Sequence, residues 1–409
     1  MSQKLNYEKK IKEEIGKDFD ISIIDLIDWL ILHAFFSRAS DIHINPTAEN
    51  LEIQYRIDGA MQDIFKFPLR ISGEIISRIK ILSELRTDEH YSAQDGRFRF
   101  KTPDNILIDI RVSIVPTYYG ENAVLRLLVD QSEEFTLEKL GFSKENLEKI
   151  LHALRKPFGM ILATGPTGSG KTTTLYTMIK KLRENKELSI ITIEDPIEYA
   201  IKGVSQVQVN SLTGLTFARG LRAFLRQDPD VIMVGEIRDT ETTSLAVNAA
   251  LTGHLLLSTL HTNDAATTLP RFLDMGAEPF LVASTVNLAI GQRLVRKICP
   301  SCKKEIKLEE NKFKILPQIF NYKIEPETKF FKGEGCQNCN FTGYYGRLGI
   351  QEVLVVDDDI RGAILKKVSA KEIKDIAVQK GMKSMFEDGI EKAKLGLTTL
   401  EEIIRVFYE

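Results

Sequence analysis

Residues 165–172 read Gly-Pro-Thr-Gly-Ser-Gly-Lys-Thr and match the phosphate-binding pattern GxxxxGK[ST] at every fixed position. A strand-like apolar run at 160–163 precedes the loop, and a helical pattern at 172–182 follows it. Glycines let backbone N–H groups turn towards phosphate oxygens, and a helix N-terminus favours their negative charge. We therefore predict a strand, P-loop and helix that bind a nucleotide; the alternative is a glycine-rich turn that matches by chance.

Two side chains of this loop have chemical roles of their own. Lys171 is predicted to contact the β- and γ-phosphates, and the Thr172 hydroxyl is predicted to bind Mg²⁺. The predicted nucleotide-binding residues are Gly165, Pro166, Thr167, Gly168, Ser169, Gly170, Lys171, Thr172 and Thr173.

Beyond the loop, from about residue 135, short apolar runs alternate with helical segments. The runs lie at 160–163, 190–193, 231–234 and 255–260. This alternation predicts an α/β fold with a largely parallel sheet flanked by helices.

Acidic residues follow two of these runs. Glu236 comes shortly after 231–234, and Glu194 and Asp195 follow 190–193. One carboxylate can orient Mg²⁺ and another can polarise the attacking water. We predict that Glu236 serves catalysis and Mg²⁺ and that Glu194 serves catalysis; the alternative is that such strand-end acids merely face solvent.

Two histidines, His254 and His261, flank the run at 255–260. If the run is a strand followed by a loop, His261 lies at the carboxyl edge, where ligands bind in open α/β sheets. A packed, hydrogen-bonded histidine is the alternative, and the residues alone leave it open for His254.

All four cysteines form two CxxC pairs, Cys299 with Cys302 and Cys336 with Cys339, and 33 residues separate the pairs. Two such pairs can supply four thiolates to a tetrahedral Zn²⁺. The pattern suits a reducing compartment and a metal better than a disulfide scaffold. Reduced or redox-active thiols remain the alternative.

The first third of the sequence predicts a mixed α/β region after a charged lead-in at 1–20. The predicted elements are an amphipathic surface helix at 21–36, a strand at 51–57 with a hairpin turn at Asp58-Gly59, a helix at 70–86, and strands at 98–101 and 106–115. The tail from about 358 has a helical pattern.

The overall composition is that of an ordinary globular protein. The 409 residues are 43% hydrophobic and 27% charged, with a formal net charge of −2. This charge argues against a strongly basic nucleic-acid binder. The N-terminus has no apolar signal segment.

Several motifs together resemble the secretion ATPases, the superfamily of the general secretion pathway protein E family and the type IV pilus assembly motors. Residues 221–239, LRAFLRQDPDVIMVGEIRD, are similar to its signature. The other similar segments are TIEDPIE (192–198, the aspartate box), TGHLLLSTLHTN (252–263, the histidine box), ASDIHI (39–44) and QDGR (94–97). The resemblance covers roughly residues 35–355.

This resemblance implies a RecA-like P-loop ATPase core and an N-terminal α/β domain of PAS-like type, which close on ATP between them. It implies a homohexameric ring at the cytoplasmic face of the inner membrane, associated peripherally through an inner-membrane platform protein and a cytoplasmic docking protein. Glu236 then belongs to an atypical Walker B motif, and both histidines become active-site residues. The arginines implied to reach the phosphates are Arg97, Arg111, Arg222 and Arg226.

The cysteine pairs and the N-terminus refine this expectation. Assembly and secretion motors of the superfamily often carry the tetracysteine module, and retraction motors generally lack it, which favours extension or export. Only about 35 residues precede the Ser-Asp-Ile-His segment. We therefore expect the extra N-terminal domain of longer members to be missing or vestigial.

The predicted organisation has five parts: a charged lead-in (1–20), an N-terminal α/β domain (21–132), a RecA-like P-loop ATPase domain (133–292), a tetracysteine zinc-binding module (293–357) and a C-terminal helical subdomain (358–409). The predicted function is an ATP-hydrolysing motor that assembles pilin or pseudopilin filaments for type II secretion, type IV pili or DNA uptake, without binding nucleic acid directly. A RecA-like nucleic-acid translocase or helicase is the main alternative. A nucleotide-binding regulator without turnover is a third.

Overall fold

The computed structural model describes residues 2–17, 20–129, 135–307 and 328–408. The chain divides into two compact units, Met1–Glu133 and Glu134–Glu409. The boundary predicted at residue 132 lies outside the described residues. None of the described helices is long and apolar enough to cross a membrane.

The first unit is a six-stranded antiparallel sheet with helices on one face. The strands lie in the order β3-β2-β1-β6-β5-β4. The elements are α1 (Ser2–Ile15), α2 (Ile23–Phe36), β1 (Ala39–Pro46), β2 (Asn50–Ile57), β3 (Ala60–Pro68), α3 (Ser72–Leu82), β4 (Gln94–Lys101), β5 (Leu107–Thr117) and β6 (Gly120–Val129). Alternate side chains such as Ile42, Tyr55 and Ile110 form its core, so the other face of the sheet is left polar.

The predicted elements of this unit are present with adjusted limits. The helix expected at 21–36 is confirmed as α2, and the turn at Asp58-Gly59 is confirmed by positive φ angles of 51° and 89°. The helix expected at 70–86 is shorter. It ends at Leu82, and Glu84 then takes the left-handed conformation, with φ 58°.

The charged lead-in contains a helix, α1, which the sequence analysis did not predict. Its Ile11 is fully buried in the core of this unit, and the ring of Tyr7 stacks on Phe36 of α2 at 5.8 Å. A few apolar residues on one side of a mostly charged segment thus anchor α1 to α2.

The second unit is a seven-stranded sheet with the order β15-β12-β7-β11-β10-β8-β9. All neighbours are parallel except β15, which is antiparallel to β12. This confirms the predicted largely parallel sheet. Its strands are β7 (Gly159–Thr164), β8 (Ile190–Glu194), β9 (Ser205–Gln208), β10 (Val231–Val234), β11 (Leu255–Leu260), β12 (Val286–Ile298) and β15 (Tyr344–Val355), and a separate pair is β13 (Lys303–Ile306) with β14 (Phe330–Gly333).

Helices cover both faces of this sheet. They are α4 (Lys144–Leu154), α5 (Lys171–Arg183), α6 (Phe217–Phe224), α7 (Thr240–Leu251), α8 (Ala265–Asp274), α9 (Pro279–Thr285), α10 (Asp358–Leu365), α11 (Ala370–Gln379), α12 (Met385–Lys394) and α13 (Leu400–Tyr408). Met160 and Leu162 of β7 pack into one core cluster, and Ile161 and Ala163 pack into the other. Burial on both faces explains why the central strands are continuously apolar in sequence.

The strand β12 runs past the boundary predicted at residue 292. It continues to Ile298, one residue before the first cysteine, and β15 returns from the cysteine segment to pair with it. The cysteine segment is therefore an extension of two strands of the main sheet. Residues 308–327 of the predicted zinc module lie outside the described residues. The tail forms helices α10 to α13, as the helical pattern from 358 predicted.

Candidate nucleotide-binding and catalytic site

The P-loop lies between β7 and α5, at the carboxyl edge of the sheet. Gly165, Gly168 and Gly170 have φ angles of 147°, 77° and 88°, which glycine adopts without strain. A Cβ atom on Gly165 would lie 2.3 Å from the carbonyl oxygen of Gln292, so this position also requires a residue without a side chain. The backbone therefore forms the tight turn that the sequence predicted.

The lysine of the loop is folded back onto the loop itself. Lys171 Nζ donates to the carbonyl oxygens of Gly165 and Pro166 at 2.7 and 3.0 Å. Burial lowers the pKa of Lys171 below its usual value, and the Glu236 carboxylate opposes this effect. The ammonium group is thus held inside the loop, where it can exchange carbonyl partners for phosphate oxygens.

The buried amide side chain of Gln292, in β12, holds the P-loop in place through hydrogen bonds. The sequence motifs did not predict this residue. Gln292 donates through Nε2 to the carbonyl oxygen of Ser169 at 2.8 Å, and its Oε1 accepts from Thr174 Oγ1 at 2.9 Å. It is 2% exposed. A polar residue inside the apolar run 286–295 was the signal that could have revealed it.

Glu236 and His261 meet at the same edge of the sheet. Glu236 lies two residues after β10, and His261 directly follows the adjacent β11. His261 Nε2 is 3.2 Å from Glu236 Oε2, which also pairs with Arg238 Nε at 2.5 Å. Since β11 is also the neighbour of β7, the P-loop, His261 and Glu236 follow three adjacent parallel strands.

Glu194 also ends a strand at this edge, but its carboxylate is enclosed. It is 2% exposed and accepts hydrogen bonds from Tyr176, Thr192 and Gln206. The bond from Thr192 Oγ1 to Oε1 measures 2.5 Å, and the bond from Gln206 Nε2 to the same oxygen measures 3.2 Å. This carboxylate is a member of a buried network and does not face solvent.

His254 lies at the other end of β11. Its carbonyl oxygen accepts from the backbone N–H of Gly159, the first residue of β7, so it belongs to the amino edge of the sheet. Its Nδ1 is 2.9 Å from the carbonyl oxygen of Ala249. The structure does not bring His254 to the P-loop of its own chain.

Arg222 and Arg226 lie on and just after α6. Arg222 Nη2 pairs with Glu241 Oε1 at 2.9 Å, and Arg226 Nη1 donates to the carbonyl oxygen of Arg222 at 3.0 Å. Both side chains are exposed, and these contacts do not join them to the P-loop. Their catalytic role stays a prediction.

Arg97 and Arg111 belong to the first unit, where they form part of an arginine row. Arg97 of β4, Arg111 of β5 and Arg126 of β6 are directly paired in register, followed by Asp41 of β1 and Arg56 of β2. Asp41 Oδ1 pairs with Arg126 Nε at 2.9 Å, and its Oδ2 is 3.7 Å from Arg56 Nε. The catalytic role of Arg97 and Arg111 stays a prediction.

The four cysteines converge on one point. Their sulfur atoms all lie within 4.8 Å of one another. The distances Cys299–Cys336, Cys302–Cys339 and Cys336–Cys339 are 3.8, 3.9 and 3.8 Å between Sγ atoms. Tetrahedral zinc with Zn–S bonds of 2.3 Å separates its sulfur ligands by about 3.8 Å, so the four positions fit the ion.

One of these sulfur atoms also lies in surroundings that favour its thiolate. Cys339 Sγ accepts from the backbone N–H of Cys336 at 3.2 Å and of Gly343 at 3.3 Å. Burial raises the pKa of Cys339, but the backbone donors outweigh this and bring its pKa to about 7. A thiolate is the form that binds metal.

A comparison with known families shows where the chain belongs. The family model described as Type II/IV secretion system protein matches residues 17–405. The chain belongs to this family. The resemblance inferred from the motifs is thereby confirmed.

Relatives of this chain include type IV pilus assembly ATPases and type II secretion system proteins. It is 45% identical to the type IV pilus assembly ATPase PilB of Thermus thermophilus, over 97% of this chain and 44% of that protein. It is 43% identical to PilB of Myxococcus xanthus, over 94% and 68%, and 44% identical to the type II secretion system protein E of Pectobacterium carotovorum, over 97% and 78%. The chain is an ATPase of this family, and it spans under half the length of the Thermus relative.

Solved structures agree on the fold. The Legionella pneumophila ATPase DotB aligns with a TM-score of 0.70 over 96% of this chain and 98% of that chain, at 22% identity. The pilus retraction motor PilT with bound ADP aligns with a TM-score of 0.61 over 93% and 96%, at 28% identity. These similarities confirm the predicted α/β fold with a P-loop ATPase core.

Proposed function

We propose that this secretion-family ATPase is a hexameric motor that assembles pilin or pseudopilin filaments. The observation that carries the proposal is the convergence of the P-loop, His261 and Glu236 after three adjacent parallel strands. Such a constellation holds a nucleotide and the groups that hydrolyse it at one edge of a sheet.

In this proposal the loop binds ATP and Glu236 acts on the reaction. Lys171 binds the β- and γ-phosphates, and the residues of segment 165–173 other than Pro166 provide backbone N–H donors. Ser169 Oγ is buried and has no hydrogen-bond partner among the described residues, as expected for a hydroxyl that serves a ligand. His261 orients the Glu236 carboxylate through the 3.2 Å contact.

The metal-binding roles follow from the types of ligand present. The Thr172 hydroxyl and the Glu236 carboxylate are oxygen donors of the kind that Mg²⁺ prefers. When bound, Mg²⁺ would neutralise phosphate charge. Cys299, Cys302, Cys336 and Cys339 would hold Zn²⁺ as a structural ion, which stabilises the extension of β12 and β15.

The direction of the motor and its partners are proposed from the cysteine cluster and the relatives. The relatives at 43–45% identity are named for pilus assembly and type II secretion, and the retraction motor is 28% identical. We therefore propose filament extension or export. The ring would lie in the cytoplasm at the inner membrane, bound through a platform protein and a docking protein.

Within the second unit, we propose the predicted division into an ATPase domain, a zinc module and a helical subdomain as a functional one. Glu352, which is fully buried, joins its parts. Its Oε1 accepts from the N–H of Ala265, at the start of α8, and its Oε2 from that of Met385, at the start of α12. Lys374 of α11 also pairs with Asp264 at 3.3 Å. The helical tail is thus tied to the loop that follows His261.

The test compares two variants of the purified chain. Lys171→Ala should weaken nucleotide binding because it removes the ammonium group held in the loop. Glu236→Gln should still bind nucleotide but lose turnover by roughly 10²-fold or more if the carboxylate is a general base. Phosphate release and binding of a fluorescent ATP analogue measure the two effects.

Lys181→Ala is the matched control. Lys181 lies on the same helix, is exposed, and pairs with Glu184 three residues away at 2.6 Å, so its loss should change neither quantity. Wild-type phosphate release by Glu236→Gln would contradict the assignment of Glu236. Stimulation of hydrolysis by DNA would favour a nucleic-acid translocase over a filament motor.

A further inference from the structure

The hydroxyl group of Tyr176 lies at the centre of the network around Glu194. Tyr176 is in α5, five residues after Lys171, and is fully buried. Its hydroxyl donates a short hydrogen bond to Glu194 Oε2. The hydroxyl oxygen of Tyr176 also accepts a hydrogen bond from the backbone N–H of Glu198 at 3.3 Å. Because that contact uses a lone pair, the one hydroxyl proton is directed to Glu194.

This hydroxyl joins three segments of the ATPase unit. It connects the P-loop helix α5, the end of β8, and the segment that follows β8. The ring of Tyr176 also packs edge-on against Tyr199 of that segment, with centroids 4.6 Å apart. Gln206 of β9 closes the network, since its Nε2 donates both to Glu194 Oε1 and to the carbonyl oxygen of Tyr199.

We propose that Tyr176 is a positioning residue that fixes the Glu194 carboxylate relative to the P-loop helix. The proposal rests on the proposed ATPase function and on the catalytic role that the sequence predicts for Glu194. Glu194 can act on the nucleotide site only from a defined position, and Tyr176 is the donor that links it to the helix carrying Lys171. Tyr176 acts through Glu194 and is not itself a catalytic residue.

The surroundings keep the Tyr176 hydroxyl protonated, so it remains a donor. Burial, followed by the charge of Glu194, raises the pKa of Tyr176 far above its usual value, so the phenol does not compete for the negative charge. Thr192 and Gln206, the other two donors, are neutral. The nearby charged groups are Glu198, which acts on Tyr176, and Lys180, whose Nζ lies 5.3 Å from the Tyr199 ring.

Removal of the hydroxyl should separate kcat from KM. Without the Tyr176 donor the Glu194 carboxylate is no longer linked to the P-loop helix, so kcat should fall by about 5- to 10-fold, as expected for the loss of one hydrogen bond. KM should change little, because the P-loop contacts remain. A purely structural role would instead lower the melting temperature or raise KM together with the loss of kcat.

The experiment measures kcat, KM and the melting temperature of the full chain for four variants. Tyr176→Phe and Thr192→Val each remove one donor to Glu194, and both should lower kcat with KM little changed. Glu194→Gln should lose turnover. Tyr55→Phe is the matched control: it deletes a fully buried phenol that donates to the Leu30 carbonyl at 3.0 Å in the other unit.

The outcomes separate this inference from the function on which it rests. Wild-type turnover by Glu194→Gln would overturn the catalytic role of Glu194, and this inference with it. An inactive Glu194→Gln combined with wild-type kcat in both donor variants would overturn the role of Tyr176 alone. If Tyr176→Phe folds poorly by thermal melting, Thr192→Val still decides whether donors to this carboxylate set kcat.

Discussion

His254 and His261 lie at opposite ends of β11, with the six residues of the strand between them. An extended strand of that length separates them by roughly 20 Å. His261 contacts Glu236 at the carboxyl edge, and His254 contacts the carbonyl oxygen of Ala249 at the amino edge. The two histidines of the histidine box thus lie at opposite edges of the sheet. Of the two, His261 belongs to the P-loop site of its own chain, and His254 does not.

We expect His261→Ala to lower kcat by roughly 10-fold or more. A general base contributes a factor of about 10²–10⁴, and the variant removes the side chain that orients the proposed base, Glu236. Binding of the ATP analogue should remain. His152→Ala is the control, since His152 is an exposed histidine at the end of α4. Unchanged turnover in His261→Ala would show that the contact with Glu236 has no part in hydrolysis.

The C-terminal helix α13 should contribute a pH-dependent stability through Glu402. Burial raises the pKa of Glu402, but hydrogen bonds from Arg296 and Arg405 outweigh it and bring its pKa to about 2, against 4.5 normally. The stabilisation is therefore present above pH 4.5 and is lost as the pH falls towards 2. Its upper limit is about 3 kcal/mol.

Glu402→Gln measures this contribution. The variant should unfold at lower temperature than wild type at pH 7, and the difference should shrink when both are compared near pH 3. Glu401→Gln, the neighbouring carboxylate on an exposed position of the same helix, is the control. A stability difference that is equal at both pH values would contradict the ionised pairing with Arg296 and Arg405.

The purified protein should carry about one zinc ion per chain. Cys339→Ser should lower the zinc content, and chelation should destabilise the extension of β12 and β15 first, because structural zinc supplies folding energy. Ser301→Ala is the control; Ser301 lies in the same segment and its hydroxyl contacts Asn338, not the sulfur cluster. Freshly purified protein that contains no zinc, prepared without chelator, would instead support free or redox-active thiols.

Local signals in the sequence predicted most of the fold. The continuous apolar runs identified the buried parallel strands, and the P-loop identified β7 as the strand that leads into it. The sequence did not reveal how far β12 continues, because Arg293 and Arg296 interrupt its apolar pattern. In the structure, Arg296 pairs with Glu402 of α13, 106 positions away. Such long-range pairs have no local sequence signal.

The candidate site was predictable in its residue types but not in its contacts. Motif order placed Glu236 and His261 near the P-loop, since carboxyl ends of parallel strands share an edge. It could not show that Glu194 is enclosed by Tyr176, Thr192 and Gln206, because these donors come from three different strands or helices. Nor could it separate His254 from His261, since both flank the same strand.

The arginine row of the first unit should contribute to ATP hydrolysis. Phosphoryl transfer spreads negative charge over the γ-phosphate, and a positioned arginine can contribute a factor of about 10³–10⁵. Arg97 and Arg111 face each other directly across β4 and β5, and the carboxylate in their row, Asp41, pairs with Arg126. The family resemblance implies that these two arginines reach the nucleotide phosphates.

We therefore expect Arg97→Ala and Arg111→Ala to keep the fold and nucleotide binding but to lose most ATPase activity. Arg99→Ala is the matched control, because Arg99 lies on the same strand, is exposed, and pairs with Asp109 at 2.8 Å. If the chains work as a coupled ring, mixing a catalytically dead chain into wild-type protein should depress activity more than dilution does. A strictly linear loss in such mixtures, with near-normal turnover by both arginine variants, would contradict the coupled ring. It would show that hydrolysis needs only the residues of the second unit.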